Sequence, residues 1–304
     1  MAALVPAVVS LLVGCGSGTP SPSSSSGSSR RPRIVVTYSV LAAVVKEVVG
    51  SSGEVTVLMP NGADPHEWSP SAKDMTAMLK ADLVVDNGLG LERNLQDPLK
   101  QVLANGGRVF TVADHVTVRR VRAGEGAEPD DPDQAPGALD PHLWTDPLTT
   151  KQWVGPLVPI LAQIGVDASA GASKVQAELD SVNTQVESLV AQVPADRRKL
   201  VTGHESMGYF AQRYGFTLVG AVIPAITSQA GASSGELAVL RKKIEAAGVP
   251  AIFAETGTSR ATADAIARDT GAKVIQLSTH NLPPDGSYRS FVVDLATTVT
   301  GALT

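Results

Sequence analysis

At 304 residues, 43% hydrophobic and 18% charged, the chain is long enough for two lobes with separate cores and has an ordinary globular composition. A net charge of −5 gives no footing for nucleic acid or an anionic membrane surface, and aromatics at 4% leave few platforms for stacking bases or sugars. The single cysteine excludes a disulfide within the chain, so export has to be argued from the N-terminus.

Residues 1–14 form an apolar run too short to cross a bilayer as a helix. The run ends Leu12-Val13-Gly14-Cys15, which resembles a bacterial lipobox. Cleavage before the cysteine of such a box leaves a lipid-modified Cys15 as the new N-terminus. No Lys or Arg precedes the apolar stretch, a departure from that pattern that an upstream start would repair. Residues 15–32 are then a tether dominated by Gly, Ser and Pro, a composition that cannot bury enough apolar area to order itself. Lipid, tether and globular body together predict a membrane-anchored protein facing the extracytoplasmic space.

From Arg33 strand-like and helical stretches alternate. Ile34 to Tyr38 reads as a buried strand, followed by a helix from Val40 to Val49 with Ser39 as cap and Gly50 as stop. Val55 to Leu58 is a second strand, the loop 60–68 follows, and a helix is expected from Pro70 to Lys80 with Ser69 at the cap. Asp82 to Asp86 and Arg108 to Val112 are further strands. This rhythm predicts an α/β fold with a mostly parallel sheet covered by helices. Residues 123–139, rich in Gly, Pro, Asp and Glu, break the rhythm and read as an acidic solvated insertion, with a metal-collecting or partner-docking loop as the alternative.

Val175, Leu179, Val182, Val186 and Leu189 recur at spacings of four and three, one face of a long helix over 170–193 ended by Pro194. The α/β pattern then returns, with strands at 200–202, 217–223, 251–254 and 273–277 and helices at 207–214, 236–247 and 261–270. The expected organisation is therefore a signal peptide (1–14), the tether (15–32), an N-terminal lobe (33–166), a stiff linking helix (167–194) and a C-terminal lobe (195–304).

Four of the five histidines fall in loops beside these strands. They are His66 in Asp64-Pro65-His66-Glu67-Trp68, His142 in Asp140-Pro141-His142-Leu143-Trp144, His204 and His280. Ligands of open parallel sheets bind beyond the carboxyl ends of the strands. Two histidines come from each half, so the four converge only where the halves face each other. Four neutral imidazoles suit the tetrahedral preference of zinc. His115 has no matching partner and reads as structural. Glu205, beside His204, reads as an outer or surface carboxylate, and Asp64, Asp140 and Asp146 either orient imidazoles or cap neighbouring turns.

Several motifs together resemble the metal-binding lipoproteins of ABC transporters for zinc and manganese. They are Asn61-Gly-Ala-Asp-Pro-His-Glu67, Asn87-Gly-Leu-Gly-Leu-Glu92, Asp140-Pro-His-Leu-Trp-Thr-Asp-Pro147, and His204 to Phe210 followed by Arg213-Tyr-Gly215. The likeness runs over residues 33–295. It implies two lobes joined by a rigid helix with the metal between them, and His66, His142 and His204 as ligands. His280 falls near the family's last ligand, commonly an aspartate, so His280, Asp285 or a water completes the set. The reading favours Zn²⁺ over Mn²⁺ as the captured ion and an ABC permease as recipient. A metallochaperone is a further possible partner, no nucleic acid is involved, and a monomer is expected. Two other functions compete: a zinc-dependent hydrolase with Glu205 as base, which lacks the second histidine of a helical protease motif, and a surface adhesin with a structural metal.

Overall fold

The computed structural model describes residues 1–3, 30–122, 125 and 136–304. Cys15, most of the leader and tether, and most of the acidic loop lie outside the described residues. Among those described, no helix is long and apolar enough to cross a membrane.

The first half runs β1 (Arg33–Val36), α1 (Ser39–Val49), β2 (Glu54–Val57), α2 (Ala72–Leu79), β3 (Leu83–Asp86), α3 (Gln96–Ala104), β4 (Val109–Thr111) and α4 (Pro147–Gln163). After α5 (Ser169–Val190) come β5 (Lys199–Thr202), α6 (Gly208–Tyr214), β6 (Thr217–Ala221), α7 (Ser234–Ala247), β7 (Ala251–Ala254), α8 (Arg260–Thr270), β8 (Lys273–Gln276) and α9 (Tyr288–Leu303). Each half builds one four-stranded parallel sheet, ordered β2-β1-β3-β4 and β6-β5-β7-β8. The two halves thus share one strand order, and this is the two-lobed α/β architecture expected from the alternating pattern.

Side-chain alternation explains how one sheet serves two layers. In the second sheet, Leu200 and Phe253 point into the large cluster that also holds Trp144, Trp153 and Phe291, while Val201 and Ile252 point the other way, toward Leu240, Ile244 and Ile266 of α7 and α8. Helix α5 buries Val175, Leu179, Val182 and Val186, the face that the spacing predicts, against α1, α4 and α9. Its 22 residues span about 33 Å. It ends at Val190, before Pro194.

Some boundaries moved for identifiable reasons. Helix α2 starts two residues later than expected because Ser71, not Ser69, forms a reciprocal cap. The Ser71 hydroxyl accepts from the Asp74 N–H, and the Asp74 carboxylate accepts from the Ser71 N–H. Ser39 does not cap α1. It lies in the first turn, and its hydroxyl reaches Asn61 Oδ1 at 3.1 Å and the His280 carbonyl at 3.4 Å. Helices α3, α4 and α9 are additional to the elements expected from the sequence. Pro156 and Pro159 interrupt the helical pattern of α4, yet it continues by packing on α5.

Candidate metal centre

All four loop histidines meet. One ring nitrogen from each of His66, His142, His204 and His280 lies within 4.8 Å of the others, and all four residues are buried. His142 Nε2 is 3.2 Å from His66 Nε2 and 3.2 Å from His204 Nε2. A tetrahedral zinc with bonds of 2.0–2.1 Å would set its donors about 3.3 Å apart. His115 stands apart, stacked on Phe110 at 4.4 Å.

Each ring is placed by its own loop. Asp64 accepts the His66 backbone N–H at 2.9 Å and, through its other oxygen, the Ser228 hydroxyl at 2.6 Å, tying the first-half loop to the second half. Asp140 accepts both the backbone N–H of His142 (3.0 Å) and its ring Nδ1 (2.9 Å). With Nδ1 carrying the proton, the Nε2 lone pair of His142 faces the cluster. Arg119 donates to the far oxygen of Asp140 at 2.9 Å and also pairs with Glu125. The pair lies against Gly208, where a Cβ would come within 2.2 Å of Asp140 Oδ2, so any larger residue would displace the pair. Of the three aspartates left open above, Asp64 shapes a turn and Asp140 orients an imidazole. Asp146 caps α4 through the Leu148 N–H and binds Arg213.

The Asn87–Glu92 motif supports His142 from behind. Glu92 accepts from the Asn87 N–H and the Thr37 hydroxyl, and Asn87 Nδ2 donates to the Pro141 carbonyl at 2.9 Å. Within it Leu89 holds a left-handed φ of 56° between two glycines, backbone strain of the kind that persists only where the surroundings hold it.

His204 follows β5 after Gly203, whose missing side chain lets the β7 end approach; a Cβ would sit 2.1 Å from Thr258 Oγ1. Behind His204 lies Glu255, a residue that sequence reasoning missed. It directly follows the apolar strand β7, and no motif marks it. Its Oε2 is 3.1 Å from His204 Nδ1, a close charge contact, and accepts from Ser206 and Thr279. His280 follows β8, its Nδ1 3.0 Å from the Thr279 hydroxyl and its Nε2 buried without a partner. Trp144 Nε1 donates to the Thr279 carbonyl at 2.8 Å and so pins this segment to the first half. Asp285 is exposed and accepts from Ser287 and Ser290 at the start of α9, away from the cluster. Glu205 is buried rather than on the surface, with one oxygen unpartnered.

The electrostatics follow from burial and neighbours. Burial, then the adjacent imidazoles, hold His66 and His142 well below the usual histidine value. Burial and His204 bring His280 down to about 4. His204 is also pulled down by burial, but the Glu255 carboxylate outweighs this and leaves it raised. Burial raises Glu255 in turn, yet His204 and its hydrogen bonds bring it to about 2. Burial lifts Glu205 to about 7 and Asp140 to about 6. Of the four rings, His204 alone is raised, and it lies opposite the Glu255 carboxylate. A cavity of about 580 Å³ lined by Leu89, Arg93, Pro141 and Ile226 adjoins His66.

The zinc-binding protein TroA of Treponema pallidum is 28% identical to the chain over 241 residues, covering 78% of the chain and 74% of that protein. The manganese-binding lipoprotein MntA of Halalkalibacterium halodurans is 25% identical over 268 residues, 86% and 84% of the two. Similar identities thus accompany names for both metals. Among solved structures, the periplasmic zinc-binding protein TroA from Treponema pallidum shares the fold with a TM-score of 0.76 at 23% identity, over 90% of the chain and 99% of that structure. The sequence family described as zinc-uptake complex component A, periplasmic, matches residues 34–302, both sheets and all four clustered histidines included, and the chain belongs to that family.

Proposed function

We propose that the protein captures Zn²⁺ outside the cytoplasm through His66, His142, His204 and His280 and hands it to the permease of an ABC transporter. The family comprises metal-binding, solute-binding proteins that work with such a permease, and they are not enzymes. The observation that carries the choice of zinc is the donor set: four buried imidazole nitrogens within 4.8 Å and no carboxylate oxygen among them. Manganese prefers oxygen donors and higher coordination, whereas imidazole suits zinc. Attachment to the membrane through a lipid on Cys15 and action as a monomer complete the reading, supported by the lipobox-like sequence and by relatives named as lipoproteins.

Titration of metal-stripped residues 16–304 with zinc and manganese in competition tests it. One reversible zinc per chain, undisturbed by equimolar manganese, is expected. Equal competition by manganese would overturn the metal assignment.

The pH dependence is specific. Sequence alone suggests a fall in affinity as pH drops through about 6.5, the ordinary histidine value. In the folded site three rings are neutral at that pH, and only His204, raised, holds a proton the metal must displace. Zinc affinity should therefore be flat above the raised His204 value. Below it affinity should fall by about tenfold per pH unit, one proton per ion, steepening toward pH 4 as His280 titrates. Calorimetry from pH 5 to 9 in buffers of different ionisation enthalpy reads the proton count directly. Zinc binding that releases no proton at pH 6.5 would contradict this assignment.

A further inference from the structure

We propose that Glu255 is a positioning residue for two ligands at once, His204 directly and His280 through Thr279. Its charge takes the part of the carboxylate that the ligand set lacks. This deepens the zinc-capture reading and rests on it.

Glu255 is 3% exposed, and its carboxylate accepts from one backbone N–H and two hydroxyls. Oε1 accepts the Gly203 N–H at 3.0 Å. Oε2 faces the Ser206 hydroxyl at 2.7 Å, the Thr279 hydroxyl at 2.9 Å and His204 Nδ1 at 3.1 Å. Thr279 has one hydroxyl proton. Given to Glu255, it leaves the threonine oxygen to accept from His280 Nδ1, 3.0 Å away. The 3.1 Å charge contact with Oε2 likewise favours the proton of His204 on Nδ1, although the pair is not aligned as a hydrogen bond, so both rings present Nε2 to the cluster. His280 Nε2 is indeed buried with no partner. A single carboxylate directly after β7 thus orients one ligand that follows β5, by charge, and one that follows β8, through Thr279; β5 and β8 are the two strands that flank β7.

The second consequence concerns charge. Four neutral imidazoles bring no negative charge to a dication, and a buried cation needs compensation nearby. Asp140 behind His142 is shared with Arg119. Glu255 has no Lys or Arg partner among the described residues, so its charge is available to the cluster alone. Glutamine is a poor substitute. It carries no charge, and its amide NH₂ would meet either the Gly203 N–H, which cannot accept, or the Ser206 and Thr279 hydroxyls, which would have to reverse their hydrogen bonds.

The test measures zinc affinity by chelator competition for the unaltered protein, Glu255→Gln, Thr279→Val, Thr279→Ser and the Glu255→Gln/Thr279→Val double variant. Glu255→Gln is expected to weaken zinc binding by about 10- to 100-fold. Thr279→Val should weaken it less and alter the visible spectrum of bound Co²⁺ as His280 loosens, whereas Thr279→Ser, which keeps the hydroxyl, should restore both. In the Glu255→Gln background the valine change should cost little more, because the relay is already broken. Zinc affinity within about twofold of the unaltered protein for both Glu255→Gln and Thr279→Val, or full additivity of the two, would overturn the proposal. If Glu255→Gln does not fold, the Thr279 pair with its cobalt spectrum decides. Failure of the unaltered protein to bind zinc would bring down the capture reading itself.

Discussion

His142→Ala is expected to reduce zinc affinity by about a hundredfold or more. Structural zinc sites bind with roughly 10–16 kcal/mol, so one of four ligands accounts for about 3 kcal/mol or more. His142 is the ring whose Nε2 lies 3.2 Å from two other donors at once, so its loss leaves His66 and His204 without their common neighbour. Folding should suffer little in the metal-free state. Asp140 keeps Arg119, so removing the imidazole leaves no buried charge without a partner. Competition with a chromophoric chelator, beside thermal melts of the stripped protein, separates the two effects. A large drop in the metal-free melting temperature with zinc affinity intact would mean that His142 is structural.

Trp144→Ala should act in the opposite proportion. The side chain is 2% exposed, packs edge-on against Tyr38 at 5.2 Å, and lies 5.3 Å from His142 and 5.6 Å from His280. Truncating a buried Trp costs about 3–5 kcal/mol, a fall of roughly 10 °C in melting temperature for a chain of this size. The lost Nε1 bond to the Thr279 carbonyl also frees the segment that carries His280. Zinc affinity should therefore fall as well, although Trp144 offers no ligand. A melting temperature within about 2 °C of the unaltered protein would show that the cavity is absorbed by repacking.

Much of this was legible in the sequence because period and turn chemistry act locally. The strands of both sheets follow from short apolar runs, and α5 from its spacing of four and three. The four histidines were legible because a loop after a parallel strand has only one direction in which to converge. The pairing of Asp140 with His142 was half visible, as a carboxylate two residues from a ring. Glu255 was not visible at all. Its role depends on β7 lying beside β5 and β8, a neighbourhood set by strand order and separated from His204 by 51 positions in the chain. Ser39 shows the same limit: at a helix start a serine reads as a cap, and only the opposing loop at Asn61 and His280 redirects its hydroxyl. Helix α9 carries a local signal of the same kind as α5, with Phe291, Leu295, Val299 and Leu303 at spacings of four, and it packs on α5 and α1.

The central claim is an all-imidazole cage for zinc, and X-ray absorption of the zinc-loaded protein examines it most directly. The account predicts four nitrogen donors at about 2.0–2.1 Å, with the outer-shell scattering of four imidazole rings and no oxygen donor. A spectrum requiring a carboxylate or water oxygen in the coordination sphere, or five or six donors, would contradict it. It would return the fourth position to a group other than His280.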